Sequence, residues 1–430
     1  MKLFQDELIL ISFHKYLAVD IALGAYLGVW NATVPVIIIR RGNTADLAIY
    51  EALLAAAALI ATPLLAALIE RIARQRAMAA CCAIIFLMSA LRFILLQFVF
   101  SMVFLTAIDL IAVCAFAGIQ PLMGVYPAEA AHRAGASAAF RTQRLAAILV
   151  RVFSPLAAGL AIAAASLAAA LALSVLCGGI AVGTVLVGRT PTTPPQPVPR
   201  RARSLLRELG TGLRIKMRIP PERFLSAVSL LLTLCMAATL PLVVPALIRQ
   251  NHLPDSTAGM ANAAFSAGAI GALLLMKIAA GDHVRWKSRF VCLWLLLFVA
   301  LCALILSAGV ISMTCACTVT GLASGCLALL GLEKRMLAVP ACARVRLAGA
   351  TIMLGQAAGS IAFLACGAAI EHWGMDALRI GYGVAALVSI GCALSSRDIW
   401  DMLGTRDDGL GAFYGNRYAQ AAEACFDRQR

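Results

Sequence analysis

Ionisable side chains interrupt several long apolar stretches of the chain, and the most prominent is Asp109 within "FLTAIDLIAVCAFAGI". A charged side chain at the centre of an apolar segment costs a few kcal/mol, so its presence needs a reason. A carboxylate removed from water can take up a proton and release it when its surroundings change. Asp109 is therefore the best candidate for a proton-binding group.

Two arginines are candidate partners for a buried carboxylate. We expect Arg151 to pair with Asp109, because protonation of the carboxylate would then free the arginine for an anionic solute. We expect Arg92 and Glu51, which match in predicted depth, to form an interfacial pair that reaches the lipid headgroups. Either arginine is long enough to pair with a membrane carboxylate instead.

Three further polar residues lie inside apolar segments. Asp20 is close to the start of its segment, where it can simply face water. Asn31 and Gln356 can hydrogen-bond a polar solute, although hydrogen bonding between helices explains them equally well. All three stay candidates for a solute or proton site.

Composition decides which class of protein must position these residues. Of 430 residues, 62% are hydrophobic and 13% charged, whereas soluble domains are about half apolar and a quarter charged. The net charge of +15 is spread through short gaps between apolar runs, which favours anionic lipid over nucleic acid as its counterpart. The sequence predicts an all-α membrane protein.

Twelve segments are apolar over the roughly 20 residues that a spanning helix needs. They are Leu17 to Ile39, Leu47 to Ile69, Ala77 to Leu96, Phe100 to Leu122, Leu145 to Ala165, Leu167 to Val187, Phe224 to Ile248, Ala258 to Ile278, Phe290 to Ala308, Val310 to Leu332, Leu347 to Ile370 and Ala377 to Leu394. The fifth and sixth are separated by little more than Ser166. Most arginines and lysines follow even-numbered segments, which predicts that both termini are cytoplasmic. Arg40, Arg41, Arg249 and Arg379 are exceptions to this distribution.

The stretch "RTPTTPPQPVPRRAR" divides the chain, because its prolines prevent a helix. We predict a six-helix bundle over residues 1–188, a cytoplasmic linker over 189–223, a second six-helix bundle over 224–396 and a polar, partly disordered tail over 397–430. The basic run after the prolines suits either a solvated loop or a helix lying on anionic lipid. Recurring loops in the two halves predict pseudo-symmetric repeats that alternate access to a central site.

The loop "ALIERIARQR" carries a dense charge cluster, and it resembles the signature of the major facilitator superfamily between its second and third helices. Two alanines replace the family glycines and a glutamate replaces the usual aspartate. The resemblance implies a cytoplasmic latch formed by Glu70, Arg71, Arg74 and Arg76, with Asp282 and Arg285 in the second half. Such a latch closes when the transporter faces outward.

Two further stretches resemble the bacterial siderophore exporters of that superfamily, of the enterobactin type. "VFSPLAAG" retains Pro155 and Gly159 of the antiporter motif, and "RVRLAGATIMLGQAAGSIAFLACGAAIEHWG" retains a spaced glycine pattern. The resemblance implies a monomeric secondary exporter in the inner membrane that moves a small polar metabolite, with a siderophore as the expected substrate and protons as the exchanged ion.

Alternatives stay open at this point. The same fold serves multidrug efflux and nutrient uptake, and a member that no longer transports could act as a membrane scaffold. No phosphate-binding loop, zinc motif or nucleophile elbow occurs in the sequence, so we expect neither an enzyme nor a bound cofactor or metal.

Overall fold

The computed structural model describes residues 2–69, 74–98, 100–134, 136–187, 210, 213–279, 286–330, 338–339, 341–405 and 413–418. Within this part of the chain, twelve helices are long and apolar enough to cross a membrane, and no strand occurs. The prediction of an all-α protein with twelve transmembrane helices is confirmed, and the chain is a multi-pass membrane protein.

The helices that span the membrane follow one another in chain order. The first six spans are α1 (Lys2–Arg41), α2 (Thr44–Ile69), α3 (Arg74–Phe98), α4 (Met102–Ala134), α5 (Ala136–Ala164) and α6 (Leu167–Leu186). The seventh span consists of α7 (Pro220–Met236), a π-helical turn (Thr239–Val243) and α8 (Val244–Gln250). The remaining spans are α9 (Ser256–Ala279), α10 (Trp286–Ile305), α11 (Val310–Leu329), α12 (Ala341–Trp373) and α13 (Asp376–Ser395), followed by the short α14 (Asp398–Gly404) and α15 (Phe413–Arg417).

Packing divides the chain into two compact units. The first comprises Met1–Ala202 and Val244–Ala263, and the second comprises Arg203–Val243 and Ala264–Arg430. In the first unit, α1 packs against α4, α5 and α6, and it is the most buried span. In the second unit, α10 packs against α11 and α13, and α7 packs against α12 and α13. The predicted division at 188 and 224 stays a prediction, whereas packing assigns residues 244–263 to the first unit.

The structure confirms one predicted break between helices and shows a second interruption that was not predicted. The break at Ser166 is confirmed, because its hydroxyl accepts a hydrogen bond from the Ala169 amide and begins α6. The seventh segment, predicted as one helix, is interrupted at Thr239–Val243, where Pro241 lacks the amide that a continuous helix needs. The boundary between the two packing units falls at the end of this turn.

Part of the predicted linker and tail is folded onto the second unit. Residues 213–218 are helical, and Lys216 is buried and donates a hydrogen bond to Ser226 at 3.0 Å, so this lysine does not lie among lipid headgroups. In the tail, the Tyr414 hydroxyl donates to the buried Glu222 carboxylate at 3.0 Å. Trp400 packs edge-on against Phe224. The described tail residues therefore contribute to the core of the second unit.

In the predicted orientation, the loops that follow odd-numbered segments lie outside the cell. The helix end next to such a loop is its outer end. The arginines that were exceptions to the charge distribution have local roles there. Arg249 donates to the carbonyl oxygens of Ile39 and Gly42, both at 2.8 Å, and Arg41 donates to the carbonyl of Leu96 at 3.5 Å. Cations at a helix C-terminus satisfy carbonyls that have no partner within the helix. Arg249 and Arg41 therefore cap helix ends.

Arg40, the remaining outer arginine of α1, forms an ion pair with Asp255 at 2.8 Å. Burial raises the pKa of the Asp255 carboxyl above its ordinary value, although Arg40 opposes the shift. The Arg40 side chain is itself 62% exposed. An exposed partner and a desolvated carboxyl make this pair a weak contributor to stability.

Replacing Arg249 with Ala is expected to lower the free energy of unfolding by about 1–2 kcal/mol, because two carbonyl oxygens lose a charged donor. The measurement is the thermal denaturation midpoint of the purified protein in detergent. Arg223→Ala, which removes an exposed arginine in α7, is the matched control. Equal midpoints for the two variants would show that the capping contacts do not stabilise the fold.

Candidate functional site

Polar side chains from four helices meet in one layer of the first unit. Tyr50 lies six residues from the outer end of α2, Arg92 six from that of α3, Asp109 seven from that of α4 and Ser174 seven from that of α6. At a rise of 1.5 Å per residue, all four lie about 10 Å below the outer ends of their helices. The fold therefore places four polar residues, distant in sequence, at one depth.

A buried ion pair forms the centre of this layer. The Arg92 Nη1 donates to Asp109 Oδ1 at 2.9 Å, and the Tyr50 hydroxyl donates to Asp109 Oδ2 at 2.6 Å. All three residues are fully buried. Each carboxylate oxygen of Asp109 thus has a donor, which is the arrangement that makes a buried charge tolerable.

Aromatic rings and a hydroxyl complete the surroundings of Arg92. Its Nη2 donates to the Ser174 hydroxyl at 3.3 Å, while its guanidinium carbon lies 5.4 Å from the Trp30 ring centroid and 5.7 Å from that of Tyr26. Cation–π contacts of this kind are strongest where water is excluded. Trp30 also donates to the Tyr50 hydroxyl at 3.3 Å. We call these six residues, with Asp109 at their centre, the Asp109 cluster: Tyr26, Trp30, Tyr50, Arg92, Asp109 and Ser174.

The expected pairing of Asp109 with Arg151 is wrong, because Arg92 occupies that place. Arg151 is exposed on α5 and makes no ion pair with Asp109. The expected interfacial pairing of Arg92 with Glu51 is wrong for the same reason, since Arg92 is buried against Asp109 rather than extended towards headgroups.

Helical periodicity in α3 carries the signal that identifies Arg92 as an inward-facing residue. The exposed apolar side chains repeat at intervals of three and four residues, at Leu87, Leu91, Ile94 and Phe98. Arg92 belongs to the opposite stripe, whose members are all buried: Cys82, Ile85, Ser89, Arg92 and Leu96. A comparison of these two stripes in the sequence predicts an arginine that faces protein rather than lipid.

Glu51 lies beside the cluster without joining it. Its carboxylate interacts electrostatically with Asp109, yet it makes no hydrogen bond or ion pair among the described side chains. It is half-buried, whereas Asp109 is fully buried. When two carboxylates interact electrostatically, protonation of one changes the proton affinity of the other.

The other predicted solute residues lie elsewhere. Asp20 accepts a hydrogen bond from Gln143 at 3.0 Å and interacts electrostatically with Arg151, so these two predicted residues are brought together. Asn31 is exposed on α1, and Gln356 is half-buried on α12 in the second unit. The structure thus separates the Asp109 cluster from the surroundings of Arg151.

The predicted latch lies largely outside the described residues. This applies to Glu70, Arg71, Asp282 and Arg285, and to the side chain of Arg74. Arg76 is described and is exposed at the start of α3. The latch stays a prediction.

The residues of the antiporter-like motif mark a close helix crossing. A Cβ atom on Gly259 would meet the Pro155 carbonyl oxygen and the backbone of Gly159. Only glycine permits backbones to approach this closely. The motif therefore has a packing role within the first unit.

Metal binding finds no support in the described part of the chain, where no group of three or more His, Cys, Asp or Glu residues is placed to hold an ion. The chemistry available is that of protons, hydrogen bonds and one buried ion pair.

The fold is similar to those of several solved transporters. The nucleoside transporter NupG matches with a TM-score of 0.68 and 14% identity, over 92% of this chain and 99% of that one. A D-xylose–proton symporter matches with a TM-score of 0.65 and 11% identity, over 89% and 97%. A bacterial homologue of the human lysosomal transporter Spinster, inward-facing and unoccupied, matches with a TM-score of 0.62 and 12% identity, over 94% and 98%.

No protein-family model matches the sequence, and no curated protein matches it either. Sequence identities this low establish a shared architecture and nothing finer. The chain has the twelve-helix fold of major facilitator transporters.

Proposed function

We propose that this protein is a secondary transporter that exchanges protons for a small polar solute across a membrane. The observation that carries the proposal is the ion pair between Arg92 and Asp109. This pair is fully buried and hydrogen-bonded within a bundle of membrane-spanning helices. A helix that only had to pack would be more stable with Ala or Leu at these positions, because a buried pair rarely stabilises more than apolar residues of similar size.

Proton binding gives the pair two states. With Asp109 ionised, its charge balances that of Arg92 and the layer is held by the hydrogen bonds from Tyr50 and Arg92. Protonation of Asp109 leaves the arginine without a balancing charge, so the protein gains by admitting an anion or by rearranging the helices. A proton thereby changes the relative free energies of two conformations, which coupling requires.

The finer proposal is export of a siderophore. Its support is the resemblance of the fifth and eleventh segments to siderophore exporters. We propose an inner-membrane location, with both termini cytoplasmic and a monomeric unit in the bilayer. The comparisons support transport of a small molecule, since each similar structure described above is a transporter.

Deletion of the gene in an iron-starved native host tests the substrate. We expect normal synthesis of the siderophore, its accumulation inside the cell and a several-fold loss from the medium, each measured by chromatography. A second measurement uses everted vesicles with an acid interior, in which the host's iron-free siderophore should dissipate the pH gradient. Unchanged secretion together with no effect on the gradient would contradict siderophore export.

A further inference from the structure

Arg151 has an unusual position on α5, because it is exposed on the side of the helix that faces away from lipid. The large apolar residues exposed on α5 are Leu145, Leu149, Phe153 and Leu160. Arg151 lies two residues after Leu149 and two before Phe153, which places it about 200° around the helix from each. The helix therefore has an apolar exposed face and, opposite to it, an exposed arginine.

An arginine within a spanning segment is stable only if water or a counter-charge reaches it. No hydrogen bond or ion pair of Arg151 occurs among the described residues, and its charge interacts with Asp20 without direct contact. The exposed guanidinium must therefore be hydrated. The part of α5 around Arg151 therefore borders water, whereas the same face is buried one and two turns further on, at Ser154 and Ala158.

Asp20 accepts its hydrogen bond from a residue other than Arg151, so the donors of Arg151 are available to a ligand. The Oδ2 atom of Asp20 accepts a hydrogen bond from the Gln143 amide at 3.0 Å, so the carboxylate already has a donor. Arg151 lies near enough for its charge to interact with that carboxylate. The arginine is partly balanced electrostatically, yet its donors are free to bind a ligand.

Asn31 extends the same face of α1. It follows Asp20 by eleven residues, which is about three helical turns, so the two side chains project in nearly the same direction. Asn31 is exposed although α1 is the most buried span. The turns between them pack against α5, since a Cβ atom on Gly24 would meet Val150 and one on Gly28 would meet Ser154, so Asp20 rather than Asn31 is the polar residue of α1 near Arg151.

We propose that Arg151, balanced by Asp20, forms the site that receives the anionic group of the transported solute, a carboxylate or a similar oxyanion. This inference rests on the proposed transport function and names the class of its substrate. The planar guanidinium matches the two oxygens of a carboxylate, which a lysine ammonium does not. The site is separate from the Asp109 cluster, so the proton and the solute bind to different groups of the first unit.

The test measures which charge the Arg151 face attracts. Ala147 lies one turn before Arg151 on the same face, so Ala147→Cys introduces a thiol beside the proposed site. Purified protein in detergent is treated with anionic sulfonatoethyl methanethiosulfonate or with cationic trimethylammonioethyl methanethiosulfonate. The rate for the chain with only its native cysteines is subtracted. We expect the anionic reagent to react faster.

Matched variants of the Ala147→Cys protein assign that preference to a residue. Adding Arg151→Gln should lower the ratio of anionic to cationic rates by about fivefold, because one positive charge near the thiol is lost. Arg151→Lys should retain most of the preference, and Asp20→Asn should raise it. Arg223→Gln, which removes an exposed arginine in the second unit, should leave the ratio unchanged.

Two outcomes overturn the proposal: an introduced thiol that neither reagent modifies, or a ratio that Arg151→Gln does not change. The measurement uses no proton gradient, so it is independent of proton coupling. If the ratio behaves as expected while Asp109→Asn leaves coupled transport intact, the anion site stands and the proton mechanism fails.

Discussion

Replacing Asp109 with Asn is expected to abolish proton-linked transport and to lower the free energy of unfolding by about 3–5 kcal/mol. The substitution leaves the fully buried Arg92 without its counter-charge, and it removes the only carboxylate that Arg92 and Tyr50 both contact among the described residues. Stability is measured by thermal denaturation in detergent. Coupling is measured as substrate-dependent dissipation of a pH gradient in everted vesicles.

A double variant separates the structural loss from the functional one. Arg92→Met combined with Asp109→Leu removes both charges, and apolar replacement of a buried pair is commonly neutral or stabilising. We expect this variant to regain stability and membrane abundance but not coupling. Tyr50→Phe keeps both charges, removes the hydrogen bond to Asp109 and the one accepted from Trp30, and should cost about 1–3 kcal/mol. Normal export by Asp109→Asn with an unchanged dependence on the pH gradient would make Asp109 a structural residue and our mechanism wrong.

Replacing Gly321 with Val is expected to lower the stability of the second unit by about 3 kcal/mol or more. A Cβ atom on Gly321 would meet the carbonyl oxygen of Phe265, and one on Gly268 would meet that of Thr318. These contacts are with backbone, which cannot move aside as a flexible side chain can. The two helices, α9 and α11, would have to separate along their whole contact. The measurement is the amount of monodisperse protein recovered from membranes and its denaturation midpoint.

Gly391→Val in α13 is the matched control, because a Cβ atom there has no neighbour within 4 Å. Both substitutions introduce the same β-branched residue into a membrane helix, so their intrinsic helix penalties are equal. The difference between them therefore reports the helix crossing. If the two variants denature at the same temperature, the approach of α9 to α11 does not limit stability.

The number of helices could be predicted from the sequence because the length and hydropathy of a spanning segment are fixed by the bilayer. The weak break at Ser166 was still found, since two apolar runs of full length require a turn between them. The interruption at Thr239–Val243 was not, because the surrounding residues are as apolar as those of a continuous helix. The hydropathy of a segment indicates whether it can lie in the membrane. It does not distinguish the hydrogen bonds of an α-helix from those of a π-helical turn.

The site could be predicted only in part, and the reason is geometric. Asp109 was identified because a carboxylate in an apolar segment is expensive wherever it points. The arginine that pairs with it depends on the direction in which each arginine side chain projects. The position of a residue along its apolar segment does not give that direction. Arg92 and Arg151 both lie opposite the exposed apolar stripe of their helices, so the stripes alone do not distinguish them. Packing of the neighbouring helices buries Arg92 and leaves Arg151 exposed, and that packing is known only from the fold.

The contact between Tyr414 and Glu222 joins residues 192 positions apart, and it sets an order of events during synthesis. The ribosome inserts α7 with its buried acid long before it makes the tail that supplies this tyrosine hydroxyl. Packing of Trp400 against Phe224 has to wait equally long. The second unit is therefore completed only after residues 400–414 have been made, and a chain that stops before them lacks the parts that cover the start of α7. Cellular proteases that survey membrane proteins would meet an exposed α7 in such a truncated product.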